Sequence, residues 1–131
     1  MPIEWNEGMS TGIDDIDIEH KEWLRRYNEF DDAVINNHGS KMIAVALRFF
    51  KQYTEFHFPN EETRVSNYLS LAAQRNREEH VLICNKIAEL QSRIGSEGTS
   101  IVEVMELKIE MEEWIVKHIC KTDVEMFSEK N

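Results

Sequence analysis

Apolar side chains in this chain return every three or four positions in four separate stretches, and in none do they alternate one by one. That period belongs to helices and not to strands, so the chain must bury its apolar surface by packing helix on helix. From about Ile18 to Asn36 the recurring residues are Trp23, Leu24, Tyr27, Phe30, Ala33 and Val34, with charge between them. From about Lys41 into the Glu61 region they are Ile43, Val45, Ala46, Phe49, Phe50, Tyr53 and Phe56. A third helix is expected over roughly Leu71 to Ile94. A fourth runs from Ser100 to about His118 or a little beyond, carried by Ile101, Val104, Leu107, Met111 and Trp114, with Met105 and Ile115 widening the face.

The residues between these stretches punctuate them. Residues 1–16 read as an extended arm, broken by Pro2, Gly8 and Gly12, with Trp5, Met9 and Ile13 free to lie on a core surface. Asp14 or Asp15 is expected to cap the first helix. Asn36-Asn37-His38-Gly39-Ser40 reads as a turn, with His38 on the surface and Ser40 capping the second helix. Ser66-Asn67-Tyr68-Leu69-Ser70 connects to the third helix, with Tyr68 in a structural role, and Gly95 and Gly98 stop that helix. Pro59 removes a backbone donor inside the second helix, and a kink is expected there. The fold class that follows is all-α: one domain over residues 1–131, an antiparallel up-down-up-down four-helix bundle with an extended N-terminal arm.

Charge and composition exclude several functions. A net charge of −10 argues against nucleic acid or an anionic membrane as the main partner, since both require a basic surface. No apolar stretch is long enough to span a bilayer, and Met1-Pro2-Ile3-Glu4-Trp5 lacks the basic start and apolar run of a signal peptide. Cys84 and Cys120 form no CxxC pair and are expected as reduced thiols in a cytoplasmic protein. A monomer or weak homo-oligomer is the expected state.

Chemistry enters through the histidines. His20 lies early in the first helix, His57 late in the second, His80 in the third and His118 near the end of the fourth. In an antiparallel bundle these positions come to one end, one histidine per helix, which is a metal-site arrangement. Glu61 follows His57 by one helical turn, and Asp123 lies five residues after His118. Imidazoles with carboxylates suit iron or manganese, and two bridging carboxylates suit a pair of ions.

These residues carry a resemblance. The run Gly12-Ile13-Asp14-Asp15-Ile16-Asp17-Ile18-Glu19-His20-Lys21, preceded by Trp5, resembles the opening motif of the hemerythrin family. His57-Phe58-x-x-Glu61-Glu62 resembles its HFxxEE motif, and Trp114-x-x-x-His118-Ile119-x-x-x-Asp123 its closing motif. The resemblance implies a four-helix bundle around two oxo-bridged, non-haem irons that bind dioxygen reversibly. By that resemblance one iron takes His20 and His57 and leaves room for oxygen, while Glu61 and Asp123 bridge the two. The second iron takes His80 and His118. Trp114 and Ile115 look like the wall of the oxygen pocket.

The sequence departs from the family at one ligand. The family places an HxxxH pair on the third helix, and the residue four before His80 is Asn76. An amide oxygen is a weaker iron ligand than an imidazole. A shifted register would instead make His80 and Cys84 the pair. The leading expectation is an oxygen-binding di-iron protein serving as carrier, store or scavenger. The alternative is a di-iron oxidase, peroxidase or nitric-oxide-handling protein made possible by the missing ligand at Asn76.

Overall fold

The computed structural model describes residues 2–65, 70–94 and 100–128. Four long helices, α1 (Asp14–Ile35), α2 (Ser40–Arg64), α3 (Leu71–Arg93) and α4 (Ile101–Lys117), form the bundle. Beyond α4 the chain winds into a π turn over His118–Asp123, then a last short helix, α5 (Val124–Ser128). No strand occurs among the described residues. Cross-helix pairs fix the directions. Arg64 meets Asp15 at 3.1 Å, and Arg26 donates to the Phe49 carbonyl at 3.1 Å, so α1 and α2 run antiparallel. Arg93 and Glu103 stand 3.6 Å apart at the far end of α3 and α4. The bundle is thus the one the apolar period implies.

The helix starts differ in detail from expectation. α1 begins four residues before Ile18, because Ile16 already points inward while acidic Asp14, Asp15 and Asp17 occupy the first turn, where the helix dipole favours them. Neither Asp14 nor Asp15 is the cap; Ile13 holds that position without a side-chain hydrogen bond. Likewise Gly39, at φ +93°, precedes α2 where Ser40 was expected to cap it, in a backbone region that suits glycine. Ser70 and Ser100 do cap α3 and α4, accepting from the Ala73 and Glu103 N–H groups. The expected roles of Gly95, Gly98 and Tyr68 lie outside the described residues.

The arm is extended apart from a 3₁₀ turn at Glu7–Met9, and it is tied to α1. The Asn28 amide clamps Ile3 at both N–H and C=O, at 2.8 and 2.9 Å. Asp17 accepts from the Ser10 hydroxyl, the Thr11 hydroxyl and the Thr11 N–H at 2.7–2.9 Å. These bonds bring Met9 and Ile3 into the core.

Two apolar clusters flank the level of the histidines. The larger, around Trp23, Tyr27, Phe30, Phe50, Leu47, Ile83, Ile87, Leu90 and Met111, fills the body of the bundle. The smaller joins Ile16, Val65, Ala72 and Ala73 to Met126 and Phe127 of α5, all buried, and closes the other side. A polar site between them is shielded from water on both sides, which strengthens every electrostatic interaction within it. The bulk core also holds a buried ion pair, Lys108 with Asp31.

Candidate metal centre

Each helix turns chemistry inward with the same period it uses for its core. In α1 the buried residues Ile16, His20, Trp23, Leu24 and Tyr27 share one face. In α2 the inward series is Phe50, Thr54, His57, Phe58 and Glu61. α2 continues through Pro59 as one helix, and His57 Nε2 stays 3.1 Å from Glu61 Oε2, so the proline does not part them. In α3 the series is Ala72, Ala73, Asn76, His80, Ile83 and Ile87. His118 and Asp123 are five residues apart, a spacing that an α-helix would point in different directions. The π turn, in which each N–H reaches back five residues, brings both inward.

The six residues His20, His57, Glu61, His80, His118 and Asp123 meet in one buried cluster. The two carboxylates divide it. Glu61 Oε2 faces His20 Nε2 at 3.0 Å and His57 Nε2 at 3.1 Å, while Glu61 Oε1 faces His80 Nε2 at 3.2 Å. Asp123 Oδ2 faces His20 Nε2 at 3.2 Å, and Asp123 Oδ1 faces His118 Nε2 at 3.2 Å. The site therefore has two subsites, His20/His57 and His80/His118, with one oxygen of each carboxylate turned to each. Asn76, fully buried, joins the second, its amide reaching Glu61, Asp123, His80 and His118. Cys84, one turn beyond His80, is exposed, as is Cys120. His38 lies exposed in its turn.

A second ring of carboxylates surrounds the first. Glu19 of α1 takes His57 Nδ1 of α2 at 2.8 Å, and Glu62 of α2 takes His80 Nδ1 of α3 at 2.7 Å. Glu79 of α3 takes His118 Nδ1 at 2.9 Å and also accepts from the Thr122 hydroxyl at 2.8 Å. Each glutamate adjoins, in sequence, a residue of the inner cluster on its own helix, yet serves the histidine of the next helix. The ring stops there, for the buried Nδ1 of His20 has no hydrogen-bond partner among the described residues. Such carboxylates fix the tautomer, leaving Nε2 as the inward donor atom and raising its basicity.

The cluster needs positive charge. Burial opposes a proton on His20, but the Asp123 and Glu61 carboxylates beside it overcome this and push the imidazole up to about 10. Burial likewise opposes charge on His57 and His118; carboxylates raise both, through the Glu19 hydrogen bond and the neighbouring Glu61 carboxylate for His57 and chiefly through the Asp123 charge for His118. Glu61 resists burial in the same way, held well below the carboxylate range by His20, His57 and His80. Either protons or metal ions can supply that charge. His57 Nε2 and Asp123 Oδ2 favour ions: each lies within 3.2 Å of a cluster partner, yet neither makes a hydrogen bond. Atoms that crowd together without aiming at one another are aimed at a common third point. The donor set of imidazoles and carboxylates fits iron or manganese.

Aromatic rings wall the cluster. Phe58 stacks on His80 with centroids 3.7 Å apart, and Trp23 lies 5.9 Å from His57 and 6.4 Å from His118. Tyr53 stacks beside His57 at 6.5 Å. Of the wall residues expected from sequence, Ile115 is fully buried one turn before His118, and Trp114 packs half-buried against the main core. Sequence reasoning missed Trp23, Phe58, the outer glutamates and Thr122. Three signals were available: Glu19 and Glu79 directly precede a histidine, and Glu62 directly follows Glu61.

The sequence matches the family described as hemerythrin HHE cation binding domain over residues 11–129. Among curated relatives, the bacteriohemerythrins of Pseudomonas aeruginosa strains LESB58 and UCBPP-PA14 are each 27% identical over 123 residues, covering 92% of this chain and 76% of theirs. The bacteriohemerythrin of Pseudomonas paraeruginosa is similar to the same extent. No solved structure matches the chain. With a match across nearly its whole length and four histidines and two acids gathered in one buried cluster, the chain belongs to the hemerythrin HHE cation-binding domain family.

Proposed function

We propose that the chain holds two iron ions and binds dioxygen at them, as a carrier, store or scavenger. The observation that carries this reading is the division of Glu61 and Asp123, each turning one oxygen to each histidine pair. His20 and His57 would hold one ion with Glu61 Oε2 and Asp123 Oδ2. His80 and His118 would hold the other with Glu61 Oε1 and Asp123 Oδ1, Asn76 lying beside it. A pair of ferrous ions held there would supply the electrons for reversible binding of dioxygen. The chain's own residues do the rest. Glu19, Glu62 and Glu79 keep Nδ1 protonated on three histidines, so that Nε2 stays free to ligate. Asn76 lies beside the second subsite, which would leave the His20/His57 subsite the more open of the two. Trp23, Phe58 and Ile115, with Trp114 behind them, keep water from the cluster and slow loss of electrons to solvent.

The test is iron reconstitution under argon, then admission of oxygen. A visible absorption that grows with oxygen and disappears on deoxygenation, over repeated cycles, is the expected result. Failure to retain iron, or irreversible oxidation in the first cycle, would refute it.

A further inference from the structure

Asn76 poses a counting problem. The inward atom of its amide lies 3.0 Å from Glu61 Oε1, 3.0 Å from His80 Nε2, 2.9 Å from Asp123 Oδ1 and 3.3 Å from His118 Nε2. The Nδ1 atoms of His80 and His118 are each engaged by a glutamate, so in the neutral imidazoles Nε2 carries a lone pair. All four neighbours are then acceptors. With nitrogen inward, the two amide hydrogens can serve only two of them. With oxygen inward, five lone pairs face one another, and a cation among them satisfies all five.

The distances fit that second arrangement. An octahedral ion with bonds of about 2.1 Å holds adjacent ligand atoms about 3.0 Å apart, and each ligand has four such neighbours. The inward atom of Asn76 has four neighbours at 2.9–3.3 Å. The two subsites then differ in kind. His20/His57 offers two nitrogens and two carboxylate oxygens. His80/His118 offers two nitrogens and three oxygens, from Glu61, Asp123 and Asn76. The amide oxygen thus gives the His80/His118 subsite one protein donor more than its neighbour.

We propose that Asn76 ligates metal through Oδ1 and completes the His80/His118 subsite as a fifth protein donor. This rests on the two-ion reading above and deepens it. Asn76 is then the residue that closes the second subsite.

Metal-stripped full-length chain of wild type, N76D and N76L is titrated with ferrous iron without oxygen, and bound iron is counted per chain after competition with a chelator. Wild type is expected to retain two ions, N76D, which keeps an oxygen donor, to match it, and N76L to lose its second ion at a lower chelator concentration. Equal retention of the second ion in wild type and N76L would overturn ligation by Asn76. Melting temperature provides an independent arm: N76L should show a smaller rise on adding ferrous iron, and an unchanged rise overturns the proposal. A wild-type chain that binds no divalent ion fails differently, since it removes the two-ion reading itself.

Discussion

Replacing Glu79 by glutamine removes one charge from the outer ring while leaving its shape. Glu79 accepts from His118 Nδ1 at 2.9 Å and from the Thr122 hydroxyl at 2.8 Å, and its side chain is only 15% exposed. Burial works against the charge on Glu79, but the His118 and Thr122 bonds outweigh it and hold its carboxyl below the usual range. The glutamine oxygen can still accept from Nδ1, so His118 keeps its tautomer and loses mainly basicity. A unit charge roughly 6 Å from a divalent ion, at an effective dielectric of about 20, is worth about 5–6 kcal/mol before solvent screening. Removing an outer partner typically weakens metal binding about 10–100-fold, or about 1.4–2.7 kcal/mol, within that ceiling. The assay is chelator competition for the His80/His118 ion in wild type, E79Q and T122V. E79Q should fall in the stated range, and T122V, which keeps the charge, should lose less. Affinities of E79Q within twofold of wild type would show that the outer ring does not tune the ligands, and that part of the reasoning would be withdrawn.

Three further outcomes are expected. K108M leaves Asp31 buried without the Lys108 charge beside it and should cost about 3–5 kcal/mol in urea unfolding, with D31N/K108M recovering part of that loss. Burial raises the Asp17 carboxyl, but its bonds from Thr11 and Ser10 prevail and depress it. Its stabilisation is therefore present above the unfolded carboxylate range, near about 4, and is lost as pH falls through the depressed folded value. D17N should remove about 1–3 kcal/mol at neutral pH and flatten that part of the acid-unfolding curve. F127A should cost about 3–5 kcal/mol and speed metal release measured by chelator, because Phe127 closes the small cluster beside the site.

Much of this was legible in the sequence because it follows from one period. Trp23, Tyr27 and Phe30 mark the inward face of α1, and His20 sits on the same face; Ile83 and Ile87 do the same for His80. The π turn was not legible. An apolar stripe reports the direction of a helix face, and Asp123 joins His118 and Thr122 on the inward side only because the turn widens. The start of α1 was misread because three aspartates mask Ile16 as part of a helical face. The outer ring escaped for another reason. Glu19, Glu62 and Glu79 adjoin cluster residues in sequence but act across a helix interface, so their partners emerge only when neighbouring helices are in register. Asn76 was visible as a departure, yet its four contacts are a property of the assembled cluster.

The central claim is that one bundle end holds two subsites joined by Glu61 and Asp123. The most direct measurement is anaerobic titration of the metal-free chain with ferrous iron, with bound iron counted per chain after desalting. The account predicts two ions per chain in wild type, and loss of both in a folded E61A variant, because Glu61 serves both subsites. A folded wild-type chain that saturates at one ion, or an E61A variant that still holds two, would contradict it.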